Sequence, residues 1–250
     1  LPGRLAVIGG GPIGCEMAEI AKAGAHPRVV LEATYGWYWA VDVLGDAGAE
    51  VHHGTLEDPD SLAQGAAQAD AVIHAAFDHD FSNFAANCEK DKRAIAALGA
   101  VLKGSDRPLL ITSGTGVGSG EHGEPASEDV FNATHPNPRI GSEQAGNALL
   151  EAGVNVSVMR LPQIHDPYRQ GLITPLVAIA RDKGVVAYVG DGSNRWAAGH
   201  LSDAVRLYRL AIEKAQPGAR YHAVGEEGVR SREIAGDVLG QFEQDRARPL

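Results

Sequence analysis

The chain is poor in cysteine and lacks any long apolar run. Two of its 250 residues are cysteines, Cys15 and Cys88. They lie far apart in the sequence, so we expect neither a disulfide framework nor a cysteine metal site, and no metal at all. No apolar run approaches the roughly 18 residues that cross a bilayer. The sequence therefore predicts a cytoplasmic protein of a reducing compartment with no membrane partner.

Basic residues are the minority among the charged side chains. The chain has 22 Lys and Arg against 32 Asp and Glu, a formal net charge of −10. Because nucleic-acid affinity depends on Lys and Arg that neutralise phosphates, this balance argues against a nucleic-acid partner. We expect a small-molecule substrate instead, and a homodimer is compatible with this class of protein.

Short runs rich in Val and Ile alternate with longer amphipathic segments. The runs predict buried strands at Leu5–Ile8, Arg28–Leu31, Ala71–His74, Pro108–Thr112, Val154–Arg160 and Tyr221–Val224. The longer segments predict helices at Ile13–Ala23, Ser61–Ala67, Phe81–Lys103, Ser142–Ala152, Pro175–Lys183, Ser202–Ala215 and Ser231–Phe242. This alternation predicts an α/β fold, a doubly wound parallel-sheet Rossmann domain over residues 1–160. Residues 161–250 are expected to form a small, interleaved substrate-binding part.

The most informative motif is a glycine-rich turn between the first strand and the first helix. Gly9, Gly11 and Gly14 form a GxGxxG pattern that also includes Pro12 and Ile13. Glycines at this spacing allow a tight turn and a close approach of the backbone to a pyrophosphate at the helix N-terminus. The motif therefore predicts a dinucleotide site, and a glycine turn without a ligand is the alternative.

An acidic residue ends the second strand. Glu32 stands where a carboxylate would bind a ribose 2′-hydroxyl, which favours NAD over NADP, although a solvated strand-end acid is the alternative. The longest irregular stretch, residues 113–138, is a candidate active-site loop.

From about residue 48 the chain resembles the short-chain dehydrogenase/reductase superfamily, in its atypical, extended-like epimerase/dehydratase branch. The resemblance rests on the segments Ala49–Asp58, Ala69–Ala76, Leu110–Thr115, Arg160–His165 and Gly190–Trp196. These segments follow the order that the family requires, and the resemblance covers about four-fifths of the chain. It implies a Rossmann fold and an NAD(P) cofactor, and NADP is the more common choice in this branch.

The resemblance also implies which residues line the cofactor. They are Thr55, Leu56, His74, Ala75, Ala76, Thr112 and Pro162. Thr55 stands where the family has an aspartate that contacts the adenine, so that contact is not carried over. For His74, a buried strand histidine is the alternative reading.

The family's catalytic residues are largely replaced. Ser113 matches the serine that hydrogen-bonds the substrate carbonyl, although a turn serine is the alternative. The chain has no YxxxK pair: Arg139 stands at the usual tyrosine position and Glu143 at the usual lysine position. Because arginine does not release a proton near neutral pH, the standard mechanism does not carry over. Asp91 is nearest to the usual asparagine, on a charged helix face that favours a solvated carboxylate.

Other residues are candidates for the missing roles. Tyr168 is a candidate proton donor, and His165 beside it could titrate in a useful range, with an ordinary polar loop as the alternative. Arg195 is a candidate partner for a phosphate or carboxylate of the substrate, and Trp196 a candidate pocket wall. A helix-capping loop with an anchoring tryptophan is equally compatible with that segment.

The first fifty residues show two further resemblances. Residues 1–24 resemble the NAD-binding segment of a disulfide oxidoreductase, and residues 27–51 resemble a stretch of DEDD-type insertion-sequence transposases. The chain has no CxxxxC pair, and no transposase acid constellation follows, so neither function is adopted. A composite, engineered or uncertainly assigned N-terminus is the hypothesis that would explain this pattern.

These observations predict an NAD(P)-dependent oxidoreductase or epimerase-like enzyme with a non-standard active site, acting on a small carbonyl or alcohol compound. A dinucleotide-binding sensor without turnover is the main alternative, since the usual tyrosine and lysine are absent. A transposase is opposed by the net charge and by most of the chain.

Overall fold

The computed structural model describes residues 4–9, 14, 17, 28–32, 50–119, 124–168 and 170–247. The chain divides into two compact units: Leu1–Arg160 with Val205–His222, and Leu161–Ala204 with Ala223–Leu250. Within the described ranges, no helix combines the length and the apolar character that a bilayer crossing requires.

The first unit is built on a parallel sheet. Among the described residues its strands are β1 (Leu5–Ile8), β2 (Arg28–Glu32), β3 (Glu50–Gly54), β4 (Ala71–His74), β5 (Leu109–Gly114), β6 (Val156–Leu161) and β9 (Arg220–His222). Their spatial order is β3-β2-β1-β4-β5-β6-β9, and β1 pairs in parallel with both β2 and β4. All side chains of β1 and β4 are buried, as expected for strands covered on both faces. The predicted doubly wound parallel sheet is confirmed.

Helices of the first unit cover this sheet. They are α1 (Pro59–Ala67), α2 (Phe84–Leu102) and α3 (Ile140–Glu151), and α5 (Leu201–Lys214) supplies its later turns to the same unit. Leu62 of α1 and Leu98 of α2 share one core cluster with Ile8, Val72 and Ile111 of the strands. Because side chains alternate along a strand, His74 and Ser113 face the same side as that cluster.

The second unit contains a small sheet that the periodicity did not reveal. β7 (Gln163–His165) pairs in parallel with β8 (Arg195–His200), and β10 (Glu226–Arg230) pairs with β8 in antiparallel fashion. The unit also contains α4 (Thr174–Lys183) and α6 (Ser231–Ala247). These strands are short and partly exposed, so they carry none of the continuous apolar runs that mark the strands of the first unit.

Candidate functional site

The turn after β1 lies against the residues that follow β4. Gly9 has φ of +128°, and a Cβ there would lie 2.9 Å from the Ala76 nitrogen and 3.0 Å from the Ala75 carbonyl carbon. The Ala75 N–H donates to the Ile8 carbonyl at 2.8 Å. A Cβ on Gly14 would overlap the Gly9 carbonyl oxygen. Glycine is therefore required at both positions by backbone contact.

This turn stands where the strand order reverses between β1 and β4. In open α/β sheets such a switch point, at the carboxyl ends of the strands, is the usual ligand site. The backbone contacts at Gly9 and Gly14 show a tight glycine turn at this point, the kind of turn that dinucleotide-binding sites use. Gly11, Pro12 and Ile13 lie outside the described residues. Glu32 ends β2 as expected, and its side chain lies outside the description.

The residues after β3 are held by local contacts. The Thr55 N–H donates to Ser61 Oγ at 3.0 Å, and Thr55 Oγ1 accepts from the Glu57 N–H at 3.3 Å. Leu56 is 1 % exposed and belongs to the core cluster. Both residues lie at the carboxyl edge of β3, and their role at the cofactor stays a prediction.

A buried polar network joins β4, α2 and the start of α3. His74 Nε2 lies 2.7 Å from Asp91 Oδ1, and both side chains are excluded from solvent. Arg139 Nη1 and Ser142 Oγ each donate to Asp91 Oδ2 at 2.5 Å. Burial alone would raise the pKa of Asp91, but the charges of Arg139 and His74 outweigh it and lower this pKa to about 2. The expectation of a solvated Asp91 is wrong, because the helix face that carries it packs on the end of β4.

Arg139 is held on three sides. Besides Asp91, its Nη2 donates to the Thr112 carbonyl at 2.9 Å, and its guanidinium lies 4.1 Å from the centre of the Phe77 ring. Thr112 Oγ1 in turn donates to the His74 carbonyl at 2.7 Å and lies 2.6 Å from the Tyr208 hydroxyl. Burial raises the pKa of Tyr208 far above its usual value. Arg139, which the resemblance placed at the usual tyrosine position, is thus engaged by a buried carboxylate, a backbone carbonyl and an aromatic ring.

Glu143, at the usual lysine position, is the centre of a second buried network. Its carboxylate is fully buried and accepts from Arg160 Nε at 2.7 Å, Arg160 Nη2 at 2.8 Å and Arg220 Nε at 3.1 Å. Burial alone would raise the pKa of Glu143, but hydrogen bonds from Arg160 lower it below its usual value. The partners come from β6 and β9, and their pairing with Glu143 left no signal in the sequence.

Arg160 also fixes the irregular stretch before α3. Its Nη1 donates to the Ser127 carbonyl and its Nη2 to the Val130 carbonyl, each at 2.8 Å. Its Nη1 also lies 3.3 Å from His222 Nε2. On the other side of the stretch, Glu128 Oε1 accepts from the His222 N–H at 2.5 Å. The described part of the predicted active-site loop is thus tied to β6 and β9.

Ser113 lies next to this second network, near the end of β5. Its hydroxyl is buried and stands beside the Glu143 carboxylate, whose pKa it helps to lower, but it forms no hydrogen bond of ordinary geometry. His74 Nδ1 is the other buried polar atom of this region without a partner. Within the first unit, Ser113 thus lies beside Glu143, and Arg139 directly precedes the helix that carries Glu143. The roles of these three residues stay predictions.

The remaining candidates belong to the second unit. Tyr168 is 93 % exposed, and the centroids of the His165 and His200 rings lie 5.9 Å apart. Arg195 Nη1 donates to the Gly228 carbonyl at 2.6 Å, and Trp196 is 36 % exposed. Pro162 lies at the β6–β7 junction, and its Cγ would be 3.4 Å from a Cβ on Gly199. The roles of these residues stay predictions.

Two curated fungal proteins are similar to the chain. An uncharacterized protein of Schizosaccharomyces pombe, C2A9.02, is 44 % identical over 196 residues, which are 78 % of this chain and 66 % of that protein. The uncharacterized protein YLL056C of Saccharomyces cerevisiae is 36 % identical over 198 residues, which are 79 % of this chain and 66 % of that protein. The chain thus spans just under two thirds of the length of both relatives.

Solved structures share the fold at lower identity. DesIV, a dTDP-glucose 4,6-dehydratase from Streptomyces venezuelae with NAD and TYD bound, has a TM-score of 0.78 and 23 % identity, over 96 % of this chain and 81 % of that one. A Thermus thermophilus UDP-glucose 4-epimerase in complex with NAD has a TM-score of 0.74 and 19 % identity, over 95 % and 82 %.

A sequence model of the NAD dependent epimerase/dehydratase family matches residues 6–224. The match includes the glycine turn, both buried networks and most of the second unit. It confirms the resemblance to this branch and, at the level of the family, the expected nicotinamide dinucleotide. The chain belongs to the NAD dependent epimerase/dehydratase family.

Proposed function

We propose that the chain is an NAD(P)-dependent oxidoreductase or epimerase-like enzyme that acts on a small carbonyl or alcohol compound. The observation that carries this proposal is the contact between Gly9 and Ala75–Ala76, at the point where the strand order reverses. When bound there, the dinucleotide supplies hydride exchange with a substrate carbon. The choice between NAD, favoured by Glu32, and NADP, favoured by the branch, is part of the test.

Ser113 is the residue that we assign to the substrate oxygen. The Ser113 hydroxyl lies beside the Glu143 carboxylate but forms no hydrogen bond of ordinary geometry with it, so its proton can be redirected to a substrate oxygen. Ser113 stands at the carboxyl end of β5, one strand from β4. Its hydroxyl can therefore donate to a carbonyl oxygen that is placed at this edge of the sheet.

Arg139 and Glu143 have no part in proton transfer in this proposal. Arg139 stays protonated at neutral pH and is paired with Asp91. Glu143 is occupied by Arg160 and Arg220. Tyr168, exposed in the second unit, remains the proposed proton donor, and replacement by phenylalanine tests it: full turnover in Tyr168→Phe would exclude this tyrosine.

The proposal is tested in two steps. Titration calorimetry with NAD, NADH, NADP and NADPH measures binding, and a panel of small ketones, aldehydes and alcohols then measures cofactor oxidation or reduction. We expect binding of one cofactor pair and turnover on part of the panel, reduced about tenfold or more in Ser113→Ala with cofactor binding retained. Absence of dinucleotide binding would contradict the proposal.

A second function, a dinucleotide sensor without turnover, is supported by a specific observation. Both positions of the usual YxxxK pair are filled by side chains that form buried ion pairs. Such pairs hold structure and do not exchange protons near neutral pH. Dinucleotide binding without turnover on the whole panel would favour the sensor.

The two N-terminal resemblances contribute no activity to the proposal. The family match begins at residue 6, inside the segment that resembles a disulfide oxidoreductase. Peptide sequencing and intact mass test the hypothesis of a misassigned N-terminus, which agreement with the given residues would discard. A homodimer is likewise proposed, and light scattering in solution tests it.

A further inference from the structure

Four aromatic rings cluster between β4 and the first turn of α2. Phe77 and His79 have ring centroids 5.2 Å apart, and Phe77 and Phe84 lie at 6.0 Å. Phe81 completes the group at 6.1 Å from His79 and 5.8 Å from Phe84. Three of these four pairs are edge-to-face, the arrangement that aromatic side chains favour. We call these four residues the aromatic cluster.

The aromatic cluster adjoins the proposed site on two sides. Ala75 and Ala76, which contact the Gly9 turn, directly precede Phe77 in the chain. The Phe77 ring supports the guanidinium of Arg139, the residue at the usual tyrosine position. The aromatic cluster thus adjoins the site through Phe77, and its other rings extend from there.

The polar side chains around the rings are already engaged. Asp80 accepts from Ser82 and Asn83, and Asp78 accepts from Lys90 at 2.9 Å. Asn87 donates to the Asp80 carbonyl at 3.0 Å. Each carboxylate, hydroxyl and amide side chain between residues 78 and 87 thus already has a partner, and the partner of Asp78 is Lys90 of the following helix. A flat aromatic ring needs no hydrogen-bonding partner and can stack on these rings directly.

The rings themselves remain available for contact. Phe81 is 56 % exposed and, among the described residues of the first unit, only Leu210 is another large apolar side chain with comparable exposure, 52 %. An exposed aromatic ring beside a ligand site gains stability when a flat apolar group covers it. Leu210 lies on α5, whose Tyr208 contacts Thr112 of β5, and not in the aromatic cluster.

We propose that the aromatic cluster forms the substrate wall of this enzyme and that its substrate is an aromatic carbonyl or alcohol compound rather than a sugar nucleotide. This inference rests on the proposed function, since it names the substrate class of the same site. The ring of the substrate stacks on Phe81, and the carbonyl or hydroxyl group points away from the rings, toward the polar edge of the sheet.

The test compares two ketones of similar size, acetophenone and cyclohexyl methyl ketone, with methyl glucoside as the polar probe. Ligand-observed NMR titrations measure the three dissociation constants, first on the nucleotide-free protein and then with saturating dinucleotide. We expect acetophenone to bind about three- to tenfold more tightly than the saturated ketone, the range of an aromatic pair. Tighter binding of the glucoside than of acetophenone would overturn the inference.

Two substitutions at one exposed position complete the design. Phe81→Leu keeps an apolar side chain but removes the ring, and Phe81→Ala removes both, so each should abolish the preference for acetophenone. Leu210→Ala is the matched control and should leave the preference unchanged. An unchanged preference in Phe81→Ala would overturn the inference. Calorimetry with the dinucleotide decides the proposed function separately, because Phe81 variants should retain that binding within about twofold.

Discussion

Arg139 and Asp91 form a buried ion pair, with Nη1 2.5 Å from Oδ2. The Asp91 side chain is 1 % exposed and that of Arg139 is 12 % exposed. Removal of one charge from such a pair leaves the other charge unpaired in a poorly hydrated environment, which is costly.

We therefore expect Asp91→Asn to lower the free energy of unfolding by about 3 kcal/mol, because the Arg139 guanidinium and the His74 ring lose their anionic partner. Urea denaturation at pH 7 measures this change. Glu89→Gln on the same helix is the control: its pair with Lys92 is exposed at 3.9 Å, so the loss should stay below about 0.5 kcal/mol. Equal effects of both substitutions would contradict the structural role of Asp91.

The Asp91 carboxylate also makes the free energy of unfolding depend on pH. The pKa of Asp91 falls from 3.8 to about 2 on folding, so the unfolded chain binds the proton more readily. This contribution is complete above pH 4 and is lost as the pH falls toward 2, about 2 kcal/mol in all. Urea titrations from pH 5 to pH 2 should show a shallower loss in Asp91→Asn than in the wild type, and parallel curves would speak against it.

Restoration of the family's usual pair should fail in this chain. Arg139→Tyr combined with Glu143→Lys places an ammonium beside Arg160 and Arg220, and it leaves Asp91 without Arg139. We expect a loss of more than about 3 kcal/mol of stability and no gain of turnover. Thermal unfolding and the carbonyl panel measure both effects.

Glu151→Lys, at the exposed end of the same helix, is the control for the added charge. A stable, active double variant would show that neither buried network is needed.

Alanine substitutions at Gly9 and Gly104 distinguish the effect of backbone strain from the effect of a lost cofactor site. Both have positive φ, but a Cβ on Gly9 meets Ala76 at 2.9 Å, whereas nothing lies within 4 Å of a Cβ on Gly104. Gly104→Ala should cost only about 1 kcal/mol of strain and should retain dinucleotide binding. Gly9→Ala should weaken that binding at least about tenfold. Calorimetry on both variants decides, and equal affinities would place the cofactor elsewhere.

His222 gives the irregular stretch before α3 a dependence on pH. Burial and the Arg160 charge lower the pKa of His222 below 6.5, while Glu128 and Glu143 oppose this shift. The folded state therefore binds a proton at His222 less readily than the unfolded chain does. The contribution of neutral His222 to the free energy of unfolding is present above pH 6.5 and is lost as the pH falls below that value. Protonation also removes the acceptor that faces Arg160 Nη1.

Hydrogen exchange of residues 124–139 should therefore accelerate between pH 7 and pH 5, beyond the intrinsic pH effect. His222→Gln should flatten this response, and His53→Gln, an exposed histidine of β3, should not. A response that survives in His222→Gln would assign it to another group.

Local patterns predicted much of the first unit because its strands are continuous apolar runs. β1 and β4 begin and end where the sequence predicts them, and the need for glycine at Gly9 followed from the motif. The second sheet was missed because β8 and β10 expose much of their surface and carry no apolar run. Asp91 was misread for a related reason: a charged helix face looks solvated until the strand that it covers is known.

By itself, the sequence determined the α/β class, the glycine turn and the loss of the tyrosine–lysine pair, since all three are properties of neighbouring residues. Only the tertiary structure decided which partners Arg139 and Glu143 bind. Arg139 finds its partner 48 residues away, and Glu143 finds one partner 17 and another 77 residues away. Such pairs can form only after the strands and helices that carry the two residues have become neighbours. Burial then favours the pairing, because an unpaired charge in the interior is costly.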